Sequence, residues 1–228
     1  MRIVNTTLCA LAMAALATLA ACSSGPPVPD WKMNAQSSVE RFQAAYLNGN
    51  ALVEQTEFGR ARDQVGSTGK IELIARIELL RCATRVASLV FDECPGYETL
   101  RNDASPADRA YASYLAGKAG ADVTLLPEAQ RAAAGAASDT AAASAVAAIK
   151  DPLSQLVAAG VLLRSNRATP ALLDTAVATA SDQGWRRPLL AWLGVQRLRA
   201  EQAGDTQEAE RLRRRMDIVE KSGKPLAG

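Results

Sequence analysis

The apolar and polar positions along the chain follow the period of the α-helix. Apolar residues recur at three- and four-residue spacing beyond residue 35, and the alternating apolar runs typical of strands are rare. Alanine, leucine, arginine and glutamate dominate these stretches, and all four favour helices. The pattern predicts an all-α domain.

Capping residues, prolines and glycines mark where the helices begin and end. Ser37 with Glu40 has the spacing of a capping box, and Ser105-Pro106 places a cap before a proline at the first helical position. Similar signals recur along the chain. They predict about ten helices, over residues 36–48, 51–66, 70–91, 106–117, 127–136, 139–149, 152–164, 170–183, 187–203 and 206–221.

The predicted helix over 70–91 carries two apolar stripes. At 100° per residue, one stripe contains Leu73, Ile77, Leu80, Thr84, Ala87 and Phe91. The other contains Ile71, Ala75, Leu79, Cys82, Val86 and Leu89. A helix that is apolar on two sides packs on two sides. We therefore expect an inner helix within a stacked array of antiparallel helical hairpins.

The second predicted helix resembles part of a tetratricopeptide repeat. Gly49-Asn50 lies at the turn, and Phe58 and Ala61 occupy the places of a large and a small packing residue, whereas Glu54 stands where the family prefers alanine. A second likeness near the C-terminus rests on Gly204, Asp205 and Ala209, with Arg213 in place of an aromatic residue. The resemblance implies a TPR-like array, an architecture whose extended surfaces suit protein binding.

The first residues have the features of an export signal. Arg2 precedes an apolar core from Leu8 to Ala20, and the stretch ends at Cys22. The sequence Leu19-Ala20-Ala21-Cys22 resembles the bacterial lipobox. This resemblance implies a signal peptide over 1–21 and membrane anchoring through lipid, palmitate among its chains, on Cys22. Ser23, where aspartate favours the inner membrane, implies the inner leaflet of the outer membrane, facing the periplasm.

The rest of the chain divides into two segments. Residues 22–34 contain the lipidated cysteine and a stretch rich in serine, proline and glycine, which predicts a flexible tether. Residues 35–228 are expected to form one helical domain. The glycines around Lys70 lack the spacing of a phosphate-binding loop, so residues 66–70 are expected to be a turn between helices.

Charge and composition exclude several functions. The chain has 26 basic and 24 acidic residues, so no global field draws it to nucleic acid. It contains no histidine, which excludes Ser-His-Asp and Cys-His catalysis and every histidine-containing metal site. We expect no catalysis, no cofactor and no metal. Glu54 and Glu57 lie close together on one helix, but we expect them to be ordinary surface charges.

Cys82 and Cys94 are the two cysteines of the predicted domain. An oxidising compartment favours a disulfide between them. The bond is possible only if the helix stops near Phe91 and the chain doubles back, because a helix running to Glu93 would hold the two sulfur atoms apart. The alternative is a free Cys82 buried on the second apolar stripe.

A set of aromatic and basic residues forms a candidate partner surface, since both residue types are common anchors of interfaces. The set contains Trp185, Arg186, Arg187, Trp192, Arg211 and Arg214. The alternative for Trp185, Arg186, Arg187 and Trp192 is packing between hairpins. For Arg211 and Arg214 it is a solvated helix, in which Glu208 and Glu210 pair with them.

These observations favour a lipid-anchored, periplasm-facing helical scaffold that binds another protein of the cell envelope. The alternative is a protein that binds or processes a cell-wall glycan or small molecule in a groove of the array. A closed apolar pocket with convergent carboxylates would favour the alternative, and an open concave face would favour the scaffold.

Overall fold

The computed structural model describes residues 27–223. The expected signal peptide over 1–21, the lipobox, Cys22 and the first part of the tether lie outside the described residues. Within them, the chain forms eleven α-helices and no strands. The helices are α1 (Asp30–Leu47), α2 (Ala51–Gly66), α3 (Ile71–Ala87), α4 (Pro95–Glu98), α5 (Pro106–Leu115), α6 (Glu128–Ala134), α7 (Asp139–Ala147), α8 (Pro152–Arg164), α9 (Pro170–Asp182), α10 (Arg186–Gln202) and α11 (Thr206–Ser222).

Helix α1 begins six residues earlier than the apolar pattern predicts. The prediction that the tether extends over 22–34 is therefore wrong for residues 30–34, which are helical. Pro29 precedes the helix, and the acidic Asp30 in the first turn compensates the helix dipole. Trp31 packs against a small group of buried residues and so holds this first turn in place.

Helix α3 lies between two hydrophobic cores, as its two stripes predict. Leu73, Ile77 and Leu80 face the minor core, whose buried members are Ala35, Phe42, Phe58, Ala61, Val65 and Ile77. Ala75, Leu79, Cys82 and Val86 belong to the main core, which α8, α9 and α10 complete. The all-α stacked array is thereby confirmed, with α3 as its inner helix.

The end of α3 differs from the prediction. The helix stops at Ala87 instead of residue 91, and Leu89 adopts a left-handed backbone with φ of 60°. The chain turns there and returns toward α3 through the short helix α4, which the sequence did not predict. This reversal meets the condition that was set for a bond between Cys82 and Cys94.

The helices stack in chain order and then return to the start. The hairpin α1–α2 packs on α3, α3 packs on α8, and α9 follows α8, with α6 and α7 packed beside α8. The hairpin α10–α11 packs on α9, and α10 also contacts α1. The first and last hairpins of the described chain thus meet along one seam.

None of the described helices is both long enough and apolar enough to cross a bilayer.

Candidate interaction surface

Two carboxylates expected at the surface are buried. The Glu54 side chain is only 7% exposed and accepts two hydrogen bonds from Arg81, at 2.6 and 3.1 Å. The Arg81 guanidinium also lies over the Phe58 ring, 4.1 Å from its centroid. The prediction of an ordinary surface charge at Glu54 is wrong, because α3 supplies a bidentate partner for it.

Glu57 is held in the same way. Arg41 on α1 donates a hydrogen bond to its carboxylate at 2.8 Å, and Arg60 donates another from the next helical turn. The hydrogen bond from Arg41 holds the pKa of Glu57 below its usual value, against the opposing effect of desolvation. Glu78 and Asp108 are also buried and accept hydrogen bonds from Arg62 and Arg76.

Trp192 lies inside the molecule and belongs to no partner surface. Its side chain is fully buried, and its indole Nε1 donates a hydrogen bond to the carbonyl oxygen of Ala87 at 3.1 Å. That bond joins α10 to the last residue of α3. The prediction of a contact surface is wrong for Trp192, and the alternative of packing between hairpins is confirmed there.

Arg186 and Arg187 join the C-terminal hairpin to the N-terminal one. The Nε of Arg187 donates to the carbonyl oxygen of Tyr46 at 2.8 Å, and its guanidinium lies 4.3 Å from the centroid of the Tyr46 ring. Arg186 donates to the carbonyl oxygen of Asn48. Both carbonyls lie at the end of α1, where helical partners become scarce. The Tyr46 carbonyl also accepts a hydrogen bond from the backbone N–H of Gly49 at 2.9 Å. We call the contacts of the two arginines the clasp.

The Tyr46 side chain in the clasp is shielded from solvent and lies near charged groups. Burial raises the pKa of Tyr46, while the positive charges of Arg187 and Arg85 oppose that rise. The phenol therefore stays neutral at physiological pH. A neutral ring offers its negative face to the guanidinium of Arg187, as a cation–π contact requires.

A groove lies beside the clasp. It has a volume of about 540 Å³ and is open to solvent. We call it the seam groove, and its lining residues are Asn48, Gly49, Arg186, Arg187, Leu190, Val219, Glu220 and Gly223. The salt bridges found in residues 27–223 include neither Arg186 nor Arg187. The groove therefore combines two arginines with the apolar side chains of Leu190 and Val219.

The structure separates the other predicted surface residues. Trp185 is partly buried and packs against the main core. Arg211 on α11 pairs with Glu208, as the alternative of a solvated helix requires, whereas Glu210 pairs with Arg213 instead of the expected Arg214. Arg214 is exposed. Of the predicted set, only Arg186 and Arg187 line the seam groove.

Sequence reasoning missed the residues that α1 and α11 contribute to the groove. Asn48 takes part in the clasp through its backbone carbonyl, which carries no side-chain signature, and Tyr46 takes part through its carbonyl and its ring. The helical period places Leu190 and Val219 on apolar faces, but it does not show that these two faces meet the end of α1. Gly49, already predicted as the turn residue, lines the groove, but its position in the sequence does not show which helices pack beside it.

Cys82 and Cys94 lie at disulfide distance, with 5.7 Å between their Cα atoms. They also form, with Asp92, a group whose potential metal-ligand atoms lie within 4.8 Å of one another. A disulfide would occupy both sulfur atoms, and the Asp92 carboxylate accepts hydrogen bonds from Arg85 and from the backbone N–H of Cys94. We therefore interpret these three residues as holding the turn between α3 and α4 in place, and not as a metal centre.

Comparisons with protein-family models, curated proteins and solved structures gave no match for this chain.

Proposed function

We propose that this protein is a lipid-anchored scaffold of the bacterial cell envelope that binds another envelope protein through the seam groove. The single observation that carries the binding proposal is the open groove between the first and last hairpins, where two arginines lie beside apolar side chains. Arginine next to apolar surface is the composition of many interface centres. The lipobox-like sequence Leu19–Cys22 supports the anchor and the periplasmic side.

The groove favours a partner segment of a particular chemistry. Arg186 and Arg187 supply two positive charges and Glu220 supplies one negative charge. The described lining residues thus carry a net charge of one positive unit, beside the apolar surface of Leu190 and Val219. An apolar segment flanked by carboxylates complements both features.

The buried carboxylates support a scaffold over a glycan-processing enzyme. Acid–base chemistry on a sugar needs carboxyl groups that are free to exchange protons at the substrate. Glu54, Glu57, Glu78 and Asp108 are each held by an arginine in hydrogen-bond contact. Such pairing occupies the carboxylate oxygens, so these four are suited to joining helices.

Photo-crosslinking in intact cells tests the binding proposal. We expect a photo-reactive amino acid at Leu190, inside the groove, to capture one envelope protein reproducibly. The same amino acid at the exposed Thr140 on α7 serves as the control and should not capture it. Equal capture at both positions, or none at Leu190, would contradict the proposal.

A charge change that leaves the clasp intact tests the charge complementarity between the groove and its partner. Glu220→Lys removes the one negative charge of the groove and touches none of the clasp hydrogen bonds, so we expect more crosslinked product from Leu190. For the anchor, cells fed radiolabelled palmitate should incorporate label into the protein, and Cys22→Ser should abolish that incorporation. Label retained by the variant would contradict lipid on Cys22.

A further inference from the structure

A second cavity lies away from the seam groove, among α5, α6 and α8. Its volume is about 370 Å³, within the range of small-molecule sites, which begins near 300 Å³. The floor and walls are mainly apolar. Its lining residues are Tyr114, Gly117, Lys118, Ala119, Gly120, Ala121, Val123, Leu126, Ala134, Val161, Leu162, Ser165 and Arg167.

The buried polar groups near the floor are already engaged. The Tyr114 hydroxyl donates to the side-chain oxygen of Gln130 at 2.9 Å, and the Gln130 amide donates to the carbonyl oxygen of Ser154 at 3.0 Å. Burial also raises the pKa of Tyr114 far above its usual value, so the phenol does not ionise. The floor therefore offers apolar surface to a ligand, with no free polar group to recognise a sugar.

The rim of the cavity is polar and basic. Lys118 is exposed on the loop that follows α5, and no salt bridge within residues 27–223 includes it. Ser165 lies at the end of α8. Gly117, with φ of 68°, lets the loop approach α8 closely, because a Cβ there would lie 3.1 Å from the Ser165 hydroxyl.

Three helices end at this rim, and their C-terminal carbonyls carry partial negative charge. Two arginines offset that charge. Arg164 donates to the carbonyl oxygen of Leu115 at the end of α5, and Arg167 donates to that of Ala136 just beyond α6. Arg167 also pairs with Asp139. The ammonium of Lys118 remains available to a ligand.

We propose that this cavity binds a single-chain amphiphile with an anionic head group. The alkyl chain lies against the apolar floor, and the carboxylate or phosphate lies at the rim beside Lys118 and Ser165. A free fatty acid and a lysophospholipid share this chemistry. The inference is independent of the scaffold proposal, because it uses a different cavity and none of the residues of the seam groove.

Isothermal titration calorimetry on the expected mature chain, residues 22–228 carrying Cys22→Ser, tests the proposal, since without the signal peptide and the lipid it needs no detergent that would compete. Hexanoate, octanoate, decanoate and dodecanoate are titrated in turn. We expect affinity to rise up to about fourfold for each added methylene, the equivalent of about 0.8 kcal/mol per buried group. An affinity that does not change with chain length would overturn the proposal.

Two head-group probes and two variants locate the site. Dodecyltrimethylammonium, which carries the opposite charge, should bind more weakly than dodecanoate. Lys118→Glu should weaken dodecanoate binding by up to about fivefold, because an exposed ion pair contributes up to about 1 kcal/mol. Ala134→Leu fills the cavity and should weaken every alkyl probe, whereas Ala132→Leu on the exposed side of α6 should not.

The outcomes remain distinguishable if the filled variant fails to fold. Lys118 is exposed, so its variant keeps the fold and still tests the head-group contact. Binding of dodecanoate that neither Lys118→Glu nor Ala134→Leu weakens would place the ligand elsewhere and overturn the proposal. Lysophosphatidylglycerol, titrated beside dodecanoate, shows which of the two sources of this chemistry the cavity prefers.

Discussion

Two glycines in helix interiors differ in what surrounds them. A Cβ at Gly160 on α8 would overlap the carbonyl oxygen of Val86 on α3, whereas a Cβ at Gly59 on α2 would meet nothing within 4 Å. Glycine at residue 160 therefore allows the two central helices to touch. At residue 59 it only weakens the helix.

Gly160→Ala should lower the free energy of unfolding by about 1–3 kcal/mol, the usual cost of overpacking. Gly59→Ala is the matched control and should raise it by about 0.5–1 kcal/mol, because alanine favours the helix. Urea unfolding followed by circular dichroism measures both. Equal effects of the two substitutions would show that α3 and α8 do not approach as described.

The pair Glu54–Arg81 gives a second prediction at the residue scale. Glu54→Ala leaves the partly buried guanidinium of Arg81 without its carboxylate and should cost about 1–3 kcal/mol of stability. Replacing both residues, with Arg81→Leu added, should restore most of that loss, since an apolar pair needs no partner. A double-mutant cycle in urea measures the coupling between them, and additive effects would contradict the pairing.

The elements show which parts of the structure the sequence could predict. Local signals define most helices. Ser105 caps α5 as expected, and Asp151 and Thr169 cap α8 and α9 in the same way, because a cap depends on residues only three positions away. The two faces of α3 could likewise be predicted from its period. These features depend on neighbours in the chain.

Other features depend on residues that are distant in the chain. Trp192 donates to a carbonyl 105 residues away and Arg187 to one 141 residues away. Tryptophan and arginine suit an interface and an interior joint equally well, so residue type could not decide between them. For the same reason Glu54 and Glu57 could be placed on one helix face, but their arginine partners on other helices could not be predicted.

The junction of α3 and α4 holds two cysteines at disulfide distance. A disulfide between Cys82 and Cys94 would close a short loop and should contribute about 3 kcal/mol to stability. Cys82→Ser with Cys94→Ser should therefore unfold at lower urea, and reductant should shift the wild-type protein toward the same midpoint. Alkylation without reductant, followed by mass spectrometry, is the direct check, and two alkylated thiols would contradict the bond.

At the scale of the whole molecule, stability should fall at acidic pH. Hydrogen bonds from arginines hold the pKa values of Glu57, Glu98, Glu208 and Glu210 below 4.5. A carboxylate with a lowered folded-state pKa stabilises the fold above its unfolded pKa, and this contribution is lost as the pH falls through the folded value. The free energy of unfolding should therefore decline below about pH 4.5.

Between about pH 6 and 8 the same quantity should stay nearly constant, because the chain has no histidine to titrate there. Urea unfolding across a pH series measures both regions. Arg41→Gln removes the strongest cause of the low pKa of Glu57 and should make the acidic decline shallower. An acidic decline of unchanged steepness in this variant would count against the contact between Arg41 and Glu57.

The clasp also bears on the order in which the chain can fold. Helices α1 and α2 leave the ribosome first, yet the arginine that bonds to the end of α1 follows Tyr46 by 141 residues. Contacts of such long sequence separation form late, because a large loop must close before they contribute. The first hairpin therefore stays incompletely packed until α10 has been synthesised. A chain that ends before Arg186 cannot form the clasp between the first and last hairpins.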